Sequence, residues 1–210
     1  LPTKVAHWIT PKLTHASSIL SIRPQELGSG LAGLFSFGSW YRNTWPEGGP
    51  PVHYVPHHLA HAAGTFLVSP YEEAAILSID GSGEWATAFA GHGRGRQVTC
   101  LSQSYRPHSL GYFYEAATQF CGFRPNYDEG KTMGLAPFGD ASVYGKTVDR
   151  MAAIDGQGAI KIDLSYFRYQ YPGPERCSPK FFAAFGSPRK GQEFETNHKN
   201  VAAAFQKVLE

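Results

Sequence analysis

The spacing of apolar and polar positions changes character at Pro56. Upstream, residues 1–55 carry scattered turn formers (Pro2, Pro11, Pro24, Gly28, Gly30, Gly33, Gly38) and a Pro/Gly cluster from Pro46 to Pro51, which predicts short helices joined by loops. Downstream, Pro56 opens HHLAHAAGTFLVS, where Leu59, Ala60, Ala63, Phe66 and Leu67 offer a partly apolar face and proline suits a first helical turn, so a short helix is expected. AAILSID follows, a continuous apolar run of strand length ending in Asp80 and a GSG turn, and it reads as a buried strand. EWATAFAGHG and QVTCLSQSY, around a turn at Gly91 to Arg96, complete a three-stranded meander from Ala74 to Tyr105.

Further along, Leu110 to Phe120 reads as a helix closed by Gly122. Arg124 to Asp140 reads as a loop because of Pro125, Gly130, Gly134, Pro137 and Gly139. Loops of that length inside a domain are often functional. Ala141 to Ile154 is expected to be helical, Ile160 to Tyr171 to hold one or two strands, and Pro172 to Glu193 to be irregular. From Asn200, Val201, Ala204, Phe205, Val208 and Leu209 fall on one helical face. The pattern is that of an α/β protein, and it contains no internal repeat.

Composition narrows the functional classes. The 210 residues are 42% hydrophobic and 17% charged with a net charge of +2, far from disorder, and no apolar run is long enough to span a membrane. Lys and Arg are scattered, with Arg94/Arg96 and Arg189/Lys190 the densest clusters, so the charge pattern argues against a nucleic-acid partner. Cys100, Cys121 and Cys177 fit neither a disulfide framework nor a CxxC metal site, which suggests a reducing, cytoplasmic setting. Leu1 is not a start methionine and the chain stops inside a helical pattern, so both ends are expected to be cut.

Three constellations carry candidate chemistry. His57 and His61 lie four apart, on one face of the predicted helix, and could offer two imidazole nitrogens to one ion. Asp80, at a strand end, could supply a carboxylate, and His58, rotated about 100° away, would lie behind them or toward a substrate. The same histidines on a partly apolar helix could equally be packing or solvated residues. In DGSGE, Gly81, Ser82 and Gly83 could let backbone N–H groups approach an anion, or could simply form a hairpin. In YDEGKTMGLAPFG, Glu129 and Lys131 could act on a transferred group, or Lys131 could be half of a solvated ion pair.

The order of these segments is informative. HHLAHAAGTFLVSPYEEAAILSIDGSGEWAT, HSLGYFYEAATQFCGF, YDEGKTMGLAPFGD and HKNVAAAFQKVLE together, from about Pro51 to Glu210, resemble the O-carbamoyltransferases of antibiotics and nodulation-factor sugars. The resemblance implies part of a Kae1-like domain of the actin/Hsp70/sugar-kinase superfold, with a mixed sheet and flanking helices, followed in the complete enzyme by a YrdC-like domain. That second domain makes carbamoyl adenylate from carbamoyl phosphate and ATP, and the Kae1-like domain passes the carbamoyl group to a hydroxylated acceptor.

Position by position, the resemblance makes His57, His61 and Asp80 ligands of a divalent metal, iron in the family, although zinc or manganese would accept the same donors. It places Gly111 and Glu115 at the nucleotide together with Gly81, Ser82 and Gly83. Lys131, Glu129 and His58 are then the candidate catalytic residues. Ala116 stands where related threonylcarbamoyl transferases have lysine. The family's first phosphate loop finds no counterpart in Leu1 to Pro50, and the second half of the domain would lie past Glu210, so the chain alone is expected to be inactive. Threonylcarbamoyl transfer to tRNA adenosine and a non-catalytic nucleotide-binding module are the competing expectations.

Overall fold

The computed structural model describes residues 38–210. The short helices and loops expected in residues 1–37 fall outside the described residues. The backbone is helical over 38–44 and then irregular, with a turn at Pro46 and Glu47, up to Pro56. Helix α1 (His57–Phe66) follows. Its buried line is His58, Ala62 and Phe66, one position away from the apolar face expected from the sequence, which leaves Ala60 and Leu67 exposed. Phe66 sets this rotation: its ring lies over Gly93, where a Cβ would come within 2.7 Å of it.

Strands β1 (Glu73–Gly83), β2 (Ala86–Arg94) and β3 (Gln97–Tyr105) form the expected meander, antiparallel throughout and in the order β1-β2-β3. The tight turn between β2 and β3 is at Gly95, φ 58°, while Gly91 and Gly93 belong to β2. Two expectations for β1 are corrected. Its apolar run does not mark burial on both faces: β1 is an edge that pairs only with β2 among the described residues, and Leu77 is 69% exposed. GSG is also not the turn, because β1 continues with a register shift to Gly83 and the chain reverses at Glu84, φ 55°.

Helix α2 (Leu110–Phe120) begins with Ser109 accepting the Tyr112 N–H and closes at Gly122, φ 75°, as its spacing predicts. The core lies between α2, α5 (Pro179–Phe185) and α6 (Thr196–Leu209). Ala116, Ala117, Ala202 and Ala204 are fully buried and let the helices approach, while Phe113, Phe181, Phe185 and Phe205 fill the space between them. Truncating such a buried ring costs about 3–5 kcal/mol. In α6, Val201, Ala204 and Phe205 are buried as expected, whereas Leu209 reaches the surface.

The remaining differences have local causes. Arg124 to Asp140 is not a loop throughout: α3 (Glu129–Leu135) is helical despite Gly130 and Gly134, because Thr132 and Leu135 are buried and Thr132 Oγ1 donates to Thr118 Oγ1 at 2.9 Å. The helix expected over Ala141 to Ile154 is realised only as a 3-10 turn at Ala141–Val143 and as α4 (Gly145–Asp149), and the span ends in β4 (Ala152–Ile154). β4 pairs antiparallel with β5 (Ile160–Ile162). The mixed sheet implied by the resemblance is therefore absent among the described residues, where both sheets are antiparallel. The segment expected to be irregular holds α5, with Ser178 as N-cap and Pro179 at its first position.

Arg189, counted in the sequence as part of a basic pair, caps α2. Its Nε donates to Cys121 O at 2.7 Å and its Nη2 to Gly122 O at 3.1 Å, with the guanidinium 4.1 Å from the Phe194 ring centre. Charge-assisted bonds to helix-end carbonyls are among the stronger hydrogen bonds, so Arg189→Ala should lower unfolding free energy by about 2 kcal/mol in denaturant titration. A change below about 0.5 kcal/mol would mean that water replaces the guanidinium at no cost.

His108 gives the fold an acid sensitivity. Its Nδ1 accepts the Ile162 N–H at 3.1 Å, so the ring is neutral with Nδ1 unprotonated. Burial, and then the Lys161 charge, hold its pKa below the ordinary 6.5. The unfolded chain binds this proton more readily than the folded one, so the stabilisation present above about pH 6.5 is lost as pH falls from 6.5 toward the lower folded value. Thermal midpoints should drop over that interval, and His108→Asn, which keeps an acceptor, should make the drop shallower. An unchanged slope would refute this assignment.

Candidate functional site

α1 and the end of β1 place His57, His61 and Asp80 together. Asp80 Oδ2 is 2.8 Å from His57 Nε2, His57 Nε2 is 3.0 Å from His61 Nε2, and His61 Nε2 is 3.9 Å from Asp80 Oδ2. A triangle with these sides has a point about 2.0 Å from all three atoms, the usual length of imidazole and carboxylate bonds to a first-row divalent ion. The hydrogen-bond account alone is strained. His57 Nε2 carries either one proton or one lone pair, and that position cannot serve Asp80 and His61 with two full bonds. A cation accepting one electron pair from each group resolves the conflict, so the donor set fits a metal.

Asp80 is further shaped by its surroundings. Partial burial pushes its carboxyl up, but the His57 hydrogen bond, the Gly81 N–H and the neighbouring imidazoles outweigh that and hold it below the ordinary 3.8. The Gly81 N–H donates to Asp80 Oδ1 at 2.6 Å. That N–H is therefore bonded to the acid in this arrangement.

Of the two positions expected for His58, the structure shows the one behind the pair. It is 1% exposed, with Nε2–H donating to Ala86 O at 3.1 Å and Nδ1 accepting from Ser78 Oγ at 2.9 Å. Burial, the leading cause, keeps its pKa below 6.5. It pins α1 to the sheet, facing the interior rather than a substrate.

Asp80, Gly81, Ser82, Gly111, Glu115 and Glu129 line one cleft of about 430 Å³. Four of the five residues expected at the nucleotide thus share a wall with the acid of the histidine cluster. The fifth, Gly83, is elsewhere and has another use: a Cβ there would stand 2.1 Å from His57 Cδ2, so its missing side chain makes room for the His57 ring. Gly111 likewise admits α2 against the strand end, since its Cβ would meet Gly81 Cα at 2.6 Å. Ser109 Oγ donates to Gly81 O at 2.8 Å, and Ser82 Oγ and Tyr112 Oη lie 2.8 Å apart, which fastens the strand end to the helix start.

Lys131 and Glu129 separate. Glu129 lines the cleft, and its Oε1 accepts the Asn126 N–H at 2.6 Å. Lys131 is 62% exposed, pairs with Asp128 at 2.8 Å one helical turn away, and does not line the cleft, so its placement is that of the solvated ion pair. Sequence reasoning missed Arg176, whose Nε donates to Glu115 Oε2 at 2.9 Å. A lone arginine in a Pro/Gly-rich segment gives no signal of a partner 61 positions away. No helix among the described residues is long and apolar enough to cross a membrane.

The Carbamoyltransferase N-terminus family model matches residues 44–210. An uncharacterized protein of Synechocystis sp. is 38% identical over 77% of this chain and 26% of its own length. Nodulation protein NolNO of Sinorhizobium fredii is 31% identical over 76% of the chain and 22% of its own. Nodulation protein NolO of Bradyrhizobium diazoefficiens is 30% identical over 73% and 26%. The chain spans about a quarter of the length of these curated relatives.

Proposed function

This chain belongs to the carbamoyltransferase family, and on that premise we propose that it forms part of a Kae1-like domain that transfers a carbamoyl group from carbamoyl adenylate to a hydroxyl of a small-molecule or sugar acceptor. Carbamoyl adenylate is made, in this reading, from carbamoyl phosphate and ATP in a YrdC-like domain of the complete enzyme. The observation that supports the reading is the convergence of His57, His61 and Asp80 on one point beside a cleft of nucleotide-compatible size.

His57 and His61 would hold a divalent ion through Nε2, and Asp80 through Oδ2. Iron is the expected ion, with zinc and manganese compatible. When bound, the ion supplies Lewis-acid stabilisation of negative charge on a coordinated oxygen. Asp80, ionised and fixed by the Gly81 N–H, keeps the two imidazoles aimed at one point. Glu115 offers a carboxylate to a ribose hydroxyl, Gly81 leaves the wall open for the adenylate, and Ser82 contributes a hydroxyl held by Tyr112. Glu129, which lines the cleft, would receive the proton that the acceptor hydroxyl gives up as it attacks.

The test uses the intact gene product with labelled carbamoyl phosphate, ATP and a panel of hydroxylated acceptors, read by mass spectrometry. ATP-dependent carbamoylation of an acceptor, lost in His61→Ala, is the expected result. Carbamoylation of tRNA adenosine instead, or transfer unaffected by His61→Ala, would overturn it.

A further inference from the structure

We infer that Arg176 is a positioning residue for the cleft: by pairing with Glu115 from behind, it holds that carboxylate toward Gly81, where a nucleotide is read. The inference rests on the nucleotide reading of the cleft given above, and adds to it a residue that does not line the cleft.

Glu115 is 5% exposed, on the inner side of α2. An ionised carboxylate buried that far needs a cation and hydrogen bonds to persist. Arg176 supplies the cation at 2.9 Å and is itself fixed. Its Nη1 donates to Gly173 O at 3.4 Å and Pro174 O at 3.3 Å, and its backbone N–H to Gln119 Oε1 at 2.7 Å. Gln119 Nε2 in turn donates to Pro174 O at 2.9 Å. Residues 173–176 are therefore clamped to α2 at two points one turn apart, and the guanidinium has little freedom.

The two oxygens of the carboxylate have different surroundings. Oε2 accepts from Arg176 Nε, while Oε1 lies 3.9 Å from where a Gly81 Cβ would stand, on the cleft side. Beside them Tyr169 is buried, with its ring 5.4 Å from Tyr112, and its hydroxyl has no hydrogen-bond partner among the described residues. Burial, and after it the Glu115 charge, raise the Tyr169 pKa and keep that hydroxyl protonated. Arg176, by holding Oε2, keeps Oε1 turned toward Gly81.

The experiment measures ATP affinity by calorimetry in the intact gene product and in Arg176→Met, Arg176→Lys, Glu115→Gln and the double variant Glu115→Gln/Arg176→Met. Arg176→Met should weaken ATP about tenfold or more, the loss expected for one misplaced charged hydrogen bond, and Arg176→Lys should recover most of it. The double variant, which removes the uncompensated charge and so protects the fold, should bind no more weakly than Glu115→Gln alone. A purely structural pair would lower thermal midpoints while leaving the affinity of folded protein unchanged, and that result would overturn the inference with the nucleotide reading intact. A double variant a further tenfold weaker would show Arg176 acting on the ligand directly, which also overturns it. Wild-type protein that fails to bind ATP would overturn the nucleotide reading and this inference together.

Discussion

In the intact gene product, on the proposed reading, Asp80→Asn is expected to remove metal binding and carbamoyl transfer together while leaving the fold nearly untouched. Asparagine keeps the shape of the side chain and an acceptor for the Gly81 N–H, so the strand end should stay in place. What disappears is the negative charge facing two imidazole nitrogens at 2.8 and 3.9 Å. Losing an anionic ligand should cost about a hundredfold or more in metal affinity, since even groups that only support ligands cost 10–100-fold. Turnover should fall by at least about a hundredfold, as it does when one stabiliser of developing charge is removed. Metal content after gel filtration, transfer assays and denaturant unfolding would be measured together. A variant that keeps its metal and its turnover would show that His57, His61 and Asp80 are only a hydrogen-bonded cluster.

The second large effect comes from a hydrogen atom. Gly83→Ala would place a methyl 2.1 Å from His57 Cδ2 and 2.6 Å from its Cβ, and the obstacle is the base of a side chain rather than a flexible tip. Either the imidazole leaves Asp80 or α1 lifts off the sheet. Overpacking of this kind costs about 1–3 kcal/mol, and metal affinity should fall with it. Gly81→Ala is the control: its Cβ would meet nothing closer than Tyr112 at 3.4 Å, so stability should change by less than about 0.5 kcal/mol. Equal effects at both positions would mean that the glycines serve backbone conformation, but neither has a positive φ.

The histidine pair and its acid were legible in the sequence because their relation is local. Four positions on a helix and a strand end after a short connection leave few places for the three groups to go. The shared cleft was legible only as separate segments, since nothing in LGYFYEAATQF reveals that Gly111 packs on Gly81. Arg124 to Asp140 misled because Gly130, Gly134 and Pro137 lower helix propensity, and the burial of Thr132 and Leu135 overrode that. α5 went unread although Ser178, Pro179 and Gly186 bracket it, because seven residues are too few to show a period. Helix rotation separated His58 from its neighbours but left open whether it faced the interior or a substrate. Only the sheet beneath α1 distinguishes the imidazole that turns inward from the two that meet Asp80.

The exposed edge of β1 has a practical side. From Ala74 to Ile79 it runs through six residues with no charge and no proline, and its outer side lacks a partner among the described residues. Windows of that kind, open along an edge, are where copies of a chain pair with one another and leave solution. Handled by itself at high concentration, this polypeptide should therefore be governed by colloidal behaviour before chemistry. A lysine in place of the outward-facing Leu77 is the change that should keep it dispersed.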